Sequence, residues 1–251
     1  MFVKIQNMPL APEEWLIPKE ALIAIAILNN FDKDKRLVIE CGVLHGAWSL
    51  NILRNVESTS VLGIDPFPNL NKMRSQTLQR FRDLSFSLYS GWSECVIGSS
   101  ASMIHIDGLH TELAVYDDLR QAENYLSDDG IIIVDDYLSP IFPGVASGFF
   151  KFLHESDFAP FLATGSKIYI TQKKNYLKWH SYLVESLEGQ DVIKWCNYLG
   201  EGENVPYISW PDVNGFRVIL SFDRTDPIPG NKLLDSWPSQ PNFDLVQRVD
   251  N

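Results

Sequence analysis

The sequence predicts an α/β fold: a doubly wound, mostly parallel sheet with helices on both faces, plus a C-terminal extension. Short β-branched runs such as LVIE and IIIV are almost free of polar residues, as in strands covered on both sides. Between them lie stretches with helical spacing, the clearest placing Val115, Leu119, Ala122 and Leu126 on one face. Several of the apolar runs end in carboxylates, and the carboxyl ends of strands are where open α/β sheets bind ligands.

Taken in order, Ala11 to about Asn30 reads as a helix, with Pro18 near the first turn of its apolar part. RLVIECG (Arg36–Gly42) is the first strand and HGAWSLNILRN the helix after it. SVLGID (Ser60–Asp65) is the second strand, followed by a helix over Asn71–Leu84. FSLYSGW (Phe86–Trp92) is a short third strand and SMIHID a fourth. TELAVYDDLRQAENYL is the next helix, with Asp117 and Asp118 on its solvated side. GIIIVDD is the fifth strand, Gly144–Glu155 a helix and GSKIYITQ a sixth strand. Beyond Tyr176 the pattern weakens to a helix over Trp179–Leu187 and a late strand, FRVILSF. The expected division is a helical segment (1–35), a ligand-binding core (36–175) and an extension packed on it (176–251).

The chain has 251 residues, 45% hydrophobic, enough for one large core. Its formal net charge of −11 repels phosphate backbones, so nucleic acid is not an expected partner. The most apolar stretch, ALIAIAIL, suits a buried helix and not a bilayer. With no secretion signal visible and three widely spaced cysteines (Cys41, Cys95, Cys196), a cytoplasmic protein with free thiols is expected.

The first strand–turn–helix, VIECGVLHGAWS, contains Glu40, Gly42, Gly46 and Ser49. Leu44 stands where a dinucleotide fingerprint needs its middle glycine, which disfavours an NAD-dependent enzyme. Glycines here would let a ligand lie against backbone amides. Asp65 ends the next strand, placed to accept from ribose hydroxyls, with Glu40 near a cationic end. A ligand with a ribose, a cationic amino acid and no phosphate is S-adenosylmethionine. Trp92 and Ser93, after strand three, lie where its adenine would sit.

Asp107 and the Asp135–Asp136 pair would repel one another on neighbouring strand tips unless neutralised. Their all-oxygen donor set suits Mg²⁺. His110 begins the following helix beside them and suits a general base, whereas His105, within the strand, is expected to be buried and hydrogen-bonded.

ECGVLHGAWS, GIDPFP, IHIDGLH with a following YDDL, and DDGIIIVDDY together resemble the class I methyltransferases of domain family twenty-four. They are also similar to the metal-dependent sugar O-methyltransferases of macrolide and aminocoumarin pathways, over roughly Arg36 to Gln172. The resemblance implies a Rossmann-like core, Mg²⁺ on Asp107, Asp135 and Asp136, and His110 as base. Leu109 and His110 depart from the macrocin-type Asp-Gly-Asp-x-Tyr; Asp-Gly-x-His is similar to the mycinamicin type. The expected activity is therefore S-adenosylmethionine- and Mg²⁺-dependent O-methyl transfer to a small-molecule hydroxyl. A sugar or glycosylated natural product comes first, and a catechol-like phenol second. The rival is a non-catalytic S-adenosylmethionine-binding scaffold, and a homo-oligomer is compatible with the extension.

Overall fold

The structure, a computed structural model, describes residues 18–67, 71–95, 100–187, 208–213 and 216–220. Five strands run parallel: β1 (Leu37–Cys41), β2 (Ser60–Ile64), β3 (Phe86–Tyr89), β4 (Ala101–Ile106) and β5 (Leu126–Val134). Every residue of β4 is buried, which explains why its sequence lacks the in/out alternation of a half-exposed strand.

Helices cover both faces. On one, α4 (Glu112–Tyr125) and α5 (Pro143–Glu155) pack Val115, Leu119, Val145, Phe149 and Phe152 against Ile39, Ile104, Ile106, Ile132 and Val134. On the other, α1 (Pro18–Leu28), α2 (Ala47–Asn55) and α6 (Tyr176–Leu187) bring Ile25, Leu28, Trp48, Ile52 and Trp179 onto Val38, Met103, Ile131 and Ile133. Burying one such side chain contributes about 1.5–3 kcal/mol, so these two layers dominate the fold's stability. The remaining helix, α3 (Asn71–Arg80), stops four residues short of its expected end and buries only Thr77 along its length.

Past α5 the sheet changes direction. β6 (Phe158–Ala163) and β7 (Ile168–Gln172) form an antiparallel hairpin whose second strand docks on β5. The edge continues through β8 (Ile208–Val213) and β9 (Phe216–Leu220), giving the order β3-β2-β1-β4-β5-β7-β6-β9-β8. β6 and β8 were not expected. Pro160 interrupts FAPFLA, and prolines ordinarily lie at strand edges or bulges; the register indeed shifts between Pro160 and Leu162. The late strand predicted at Phe216 is β9. Residues 11–17 of the expected first helix, and Cys196 and the tail from Asp226, lie outside the described residues. Cys41 and Cys95 are free thiols. Among the described residues, no helix is long and apolar enough to cross a membrane.

Between β1 and β4 the strand order reverses, β2 and β3 lying to one side and β5 to the other. A crevice opens at the carboxyl ends of strands at such a switch point. Glu40, Asp65, Asp107 and Asp135 all sit in or just beyond those ends.

Candidate active site

The loop from Gly42 to Gly46 is shaped by packing as much as by any ligand. Gly42 has φ +87°, and a β-carbon there would lie 1.8 Å from the Asp107 carbonyl oxygen. The close approach follows from hydrogen bonds on both sides: Gly42 N–H donates to Ile64 (2.8 Å) and Asp107 N–H to Cys41 (2.8 Å). Gly46 caps α2 with φ +72°, and the ring of Phe81 fills the place of its missing side chain at 2.4 Å. The glycine expected to admit a ligand is thus also required by an aromatic neighbour. Asp65 holds the loop. Its Oδ2 accepts from Val43 N–H (3.1 Å) and Leu44 N–H (2.9 Å), its Oδ1 from Phe67 N–H (2.8 Å). A carboxylate offers about four acceptor positions, so capacity for a ribose hydroxyl remains but is reduced.

Beneath this loop lies a buried polar row. Ser49 Oγ donates to Glu40 Oε2, and Glu40 is only 2% exposed. Burial pushes the Glu40 carboxyl up to about 8, so it is neutral at pH 7. His105, stacked on Trp48 at 4.4 Å, is buried as expected. Its Nδ1 is 3.6 Å from Glu40 Oε1, beyond hydrogen-bond reach. Its Nε2 is 3.1 Å from Lys167 Nζ. An ammonium only donates, so Nε2 is the acceptor and Nδ1 carries the proton. Burial, then the Lys167 charge, keeps His105 well below the ordinary histidine range.

Lys167, 2% exposed, also pairs with Asp135 Oδ2. Burial alone would raise the Asp135 carboxyl, but the Lys167 charge and the hydrogen bonds from Lys167 and Ser166 outweigh it and hold it ionised. Asp135 Oδ1 accepts from Ser166 Oγ (2.8 Å) and Asp136 N–H (2.9 Å). Neither Lys167 nor Ser166 was singled out in the sequence. The available signal was a lysine opening an apolar strand, but its meaning depends on antiparallel register. Val134 pairs with Ile168, so Lys167 falls opposite Asp135.

At the crevice mouth, His110 Nε2 lies 3.4 Å from Asp107 Oδ1 and 3.5 Å from Asp136 Oδ2. Its ring stacks on Phe142 at 4.1 Å, and a β-carbon on Gly144 would meet the His110 carbonyl at 2.8 Å. The segment ahead of α5 therefore backs His110 from behind. The hydrogen bond that His110 donates to the Asp107 carboxylate raises the His110 pKa against the opposing effect of burial. Asp107 itself is pushed up to about 7, by burial and then by Asp135. Asp136 adopts φ +54°, a left-handed conformation that Asp tolerates better than most side chains. Asp107, His110 and Asp136 offer ligand atoms all within 4.8 Å of one another, as do His105, Asp107 and Asp135. Crowded carboxylates, one with a raised pKa, are a donor set that fits a hard cation.

Trp92 and Ser93 occupy a 3-10 turn (Trp92–Glu94) beyond β3, with Ser93 exposed. The Trp92 indole donates to Asp118 Oδ1 (2.8 Å) and stacks on Tyr125 at 5.5 Å. Asp118 consequently is not on a solvated helix face, contrary to the sequence reading; burial raises its carboxyl. Gly91, just before Trp92, has nothing among the described residues within 4 Å of a β-carbon position. That open wall, with Asp65 on the adjoining strand, fits a flat ring and its ribose.

Residues 39–137 match the family model described as a methyltransferase domain. The matched stretch is less than half of the chain. The match spans every strand tip described above, from Ile39 to Tyr137, and stops before Lys167. No curated protein matches the chain by sequence. Among solved structures, the domain's fold is similar to that of an O-methyltransferase from Bacillus cereus in complex with S-adenosylhomocysteine. The two share 12% identity and a TM-score of 0.50, over 64% of this chain and 84% of that one. It is also similar to an S-adenosylhomocysteine-bound methyltransferase from Podospora anserina, at 15% identity and a TM-score of 0.50, over 62% and 79%. At such identities the likeness establishes the Rossmann-like methyltransferase fold of the domain.

Proposed function

We propose that the chain is an S-adenosylmethionine-dependent O-methyltransferase acting on a small-molecule hydroxyl beside Asp107, His110 and Asp136, with Mg²⁺ in the acid crevice. The observation that carries this reading is the convergence of His110 with two carboxylates at the mouth of a methyltransferase-type switch point. The two solved relatives that hold S-adenosylhomocysteine support the choice of cofactor.

A bound S-adenosylmethionine would supply a sulfonium-borne methyl group for the acceptor oxygen, with a neutral thioether as its leaving group. A bound Mg²⁺ would lower the pKa of a hydroxyl placed against it. The chain's own residues do the rest. Asp65, Gly91 and Trp92 would wall the ribose and adenine, beside the loop that Gly42 and Gly46 shape over the buried Glu40–Ser49 pair. Asp107 and Asp136 would hold the cation. His110 Nε2, lying between those carboxylates, accepts the acceptor's proton as methyl transfer proceeds. Fixing these groups before the substrate arrives is where most of the rate would come from.

Among acceptors, a sugar hydroxyl is the first choice, since Mg²⁺ with a histidine base suits an alcohol of high pKa. One observation favours a catechol-like phenol as a second reading. Phe142 stacks behind His110, and Leu109, Leu138 and Ile141 stand 58–68% exposed on the two loops around it, a rim suited to a flat apolar ring. Calorimetric titration with S-adenosylhomocysteine, with and without Mg²⁺, tests the site directly. Transfer of a labelled methyl to glycosides against catechols then chooses the acceptor. Binding of NADH in place of S-adenosylhomocysteine would remove the reading.

A further inference from the structure

Asp135 ends the central strand β5 and ranks beside Asp107 and Asp136 in the sequence, yet its surroundings differ from theirs. Both of its oxygens are engaged from within the fold: Oδ2 by the Lys167 ammonium, Oδ1 by Ser166 Oγ and the Asp136 N–H. Only 15% of its side chain is exposed, against 33% for Asp107 and 31% for Asp136. Lys167 has little freedom to leave, being 2% exposed with His105 Nε2 at 3.1 Å as its second partner. The register of β7 on β5 fixes its stem opposite Asp135.

We propose that Lys167 is the resident cation of the crevice: it neutralises Asp135 and makes that carboxylate a post, leaving Asp107, His110 and Asp136 to face the ligand. The post has a defined task. Asp136 is held in the left-handed region, and its N–H is tied to Asp135 Oδ1. Its carbonyl accepts from Ser139 N–H at 2.9 Å, and Tyr137 N–H reaches Ser166 at 3.2 Å. The Lys167–Asp135 pair thereby anchors the turn that aims Asp136 at His110. Lys167 acts through Asp135 and is a positioning residue. The proposal rests on the crevice being a cation site, and the following measurement separates the two.

Mn²⁺ serves as probe, its affinity read by calorimetry and by loss of the free-ion paramagnetic resonance signal, with no turnover required. Lys167→Met removes the ammonium and leaves an uncompensated carboxylate within reach of Asp107. Mn²⁺ binding should tighten on the order of ten-fold or more, as a nearby unit charge does even in partly wet surroundings. The double variant Asp135→Asn/Lys167→Met deletes the ion pair without stranding a charge and keeps an acceptor for Ser166 and Asp136 N–H. It should bind Mn²⁺ within about three-fold of wild type, and it decides the matter if the single variant does not fold. A loss of ten-fold or more in the double variant would make Asp135 a ligand and overturn the proposal, as would unchanged or weaker binding in folded Lys167→Met. If wild type binds no Mn²⁺ but Lys167→Met does, the resident-cation role stands and the Mg²⁺ part of the proposed function falls. If neither binds, both fall.

Discussion

His110 and Asp107, three residues apart, meet at 3.4 Å between Nε2 and Oδ1 across the turn that joins β4 to α4. The contact stabilises the imidazolium, so the histidine holds its proton to higher pH than the ordinary 6.5. A base must be deprotonated to act, which sets the sign: turnover should rise with pH through the His110 pKa, which the carboxylates push up and a bound cation pushes back down. His110→Ala and His110→Gln should each lower turnover by about 10²–10⁴-fold with cofactor affinity little changed. Near-wild-type turnover in either variant makes His110 a mere turn residue ahead of α4, which begins at Glu112 and not at His110 as the sequence suggested.

The cation prediction concerns Asp107 and Asp136. Replacing either by Ala should abolish methyl transfer and Mn²⁺ binding, while S-adenosylhomocysteine still binds at the tips of β1 to β3. Full activity in excess EDTA would end the metal's role.

Cofactor recognition can be tested on both walls. S-adenosylhomocysteine should raise the melting temperature, since it would bind the native state alone. Asp65→Ala should lose most of that shift, because it removes the ribose acceptor and releases the Val43 and Leu44 amides together. Gly91→Ala adds a methyl where none of the described residues lies within 4 Å, so the fold should be unaffected, within about 0.5 kcal/mol. Its S-adenosylhomocysteine affinity should drop if adenine occupies that space. An unchanged affinity moves the adenine elsewhere.

Glu40 supplies a stability prediction with a definite sign. Its carboxyl has a folded-state pKa of about 8 against 4.5 for the free group. Below pH 4.5 both states are protonated, and between the two values only the folded state is. Stability should therefore fall as pH rises through that window, by at most about 1.4 kcal/mol per pH unit from this group. Glu40→Gln keeps an acceptor for Ser49 and should flatten the slope. Denaturant midpoints measured from pH 5 to 8 on both proteins would show it; parallel curves would mean that Glu40 is ionised when folded.

Gly42→Ala probes the strand tips themselves. A methyl 1.8 Å from a backbone oxygen cannot be accommodated without moving β1 away from β4. A loss of about 3 kcal/mol or more in unfolding free energy is expected, placing it among the severe substitutions. A near-neutral result would show that the tips are looser than the hydrogen bonds suggest.

The parallel half of the sheet was legible because two-sided burial leaves a plain trace: runs such as IIIV admit no polar residue. The acids at its tips followed from where those runs stop. What escaped reading depended on contacts between distant segments. Pro160 concealed β6, since a proline in an interior strand is tolerated only through the local register shift. Lys167 stands 32 residues from Asp135, and only the hairpin brings them together. Gly46 reads as a ligand-binding glycine until Phe81 is seen against it, and Asp118 reads as solvated until Trp92 donates to it.

The hairpin of β6 and β7 works as a ruler for charge. Successive residues of a strand point to opposite faces, so a slip of one position along β5 would carry Lys167 across to the α5 side. Asp135 would then face Asp107 with no positive partner. The register shift lies in the ladder between β6 and β7, while β7 pairs with β5 in unbroken register from Thr171 to Ile168. Length changes in this region can thus be absorbed at Pro160 while the distance from β5 to its counter-charge is kept.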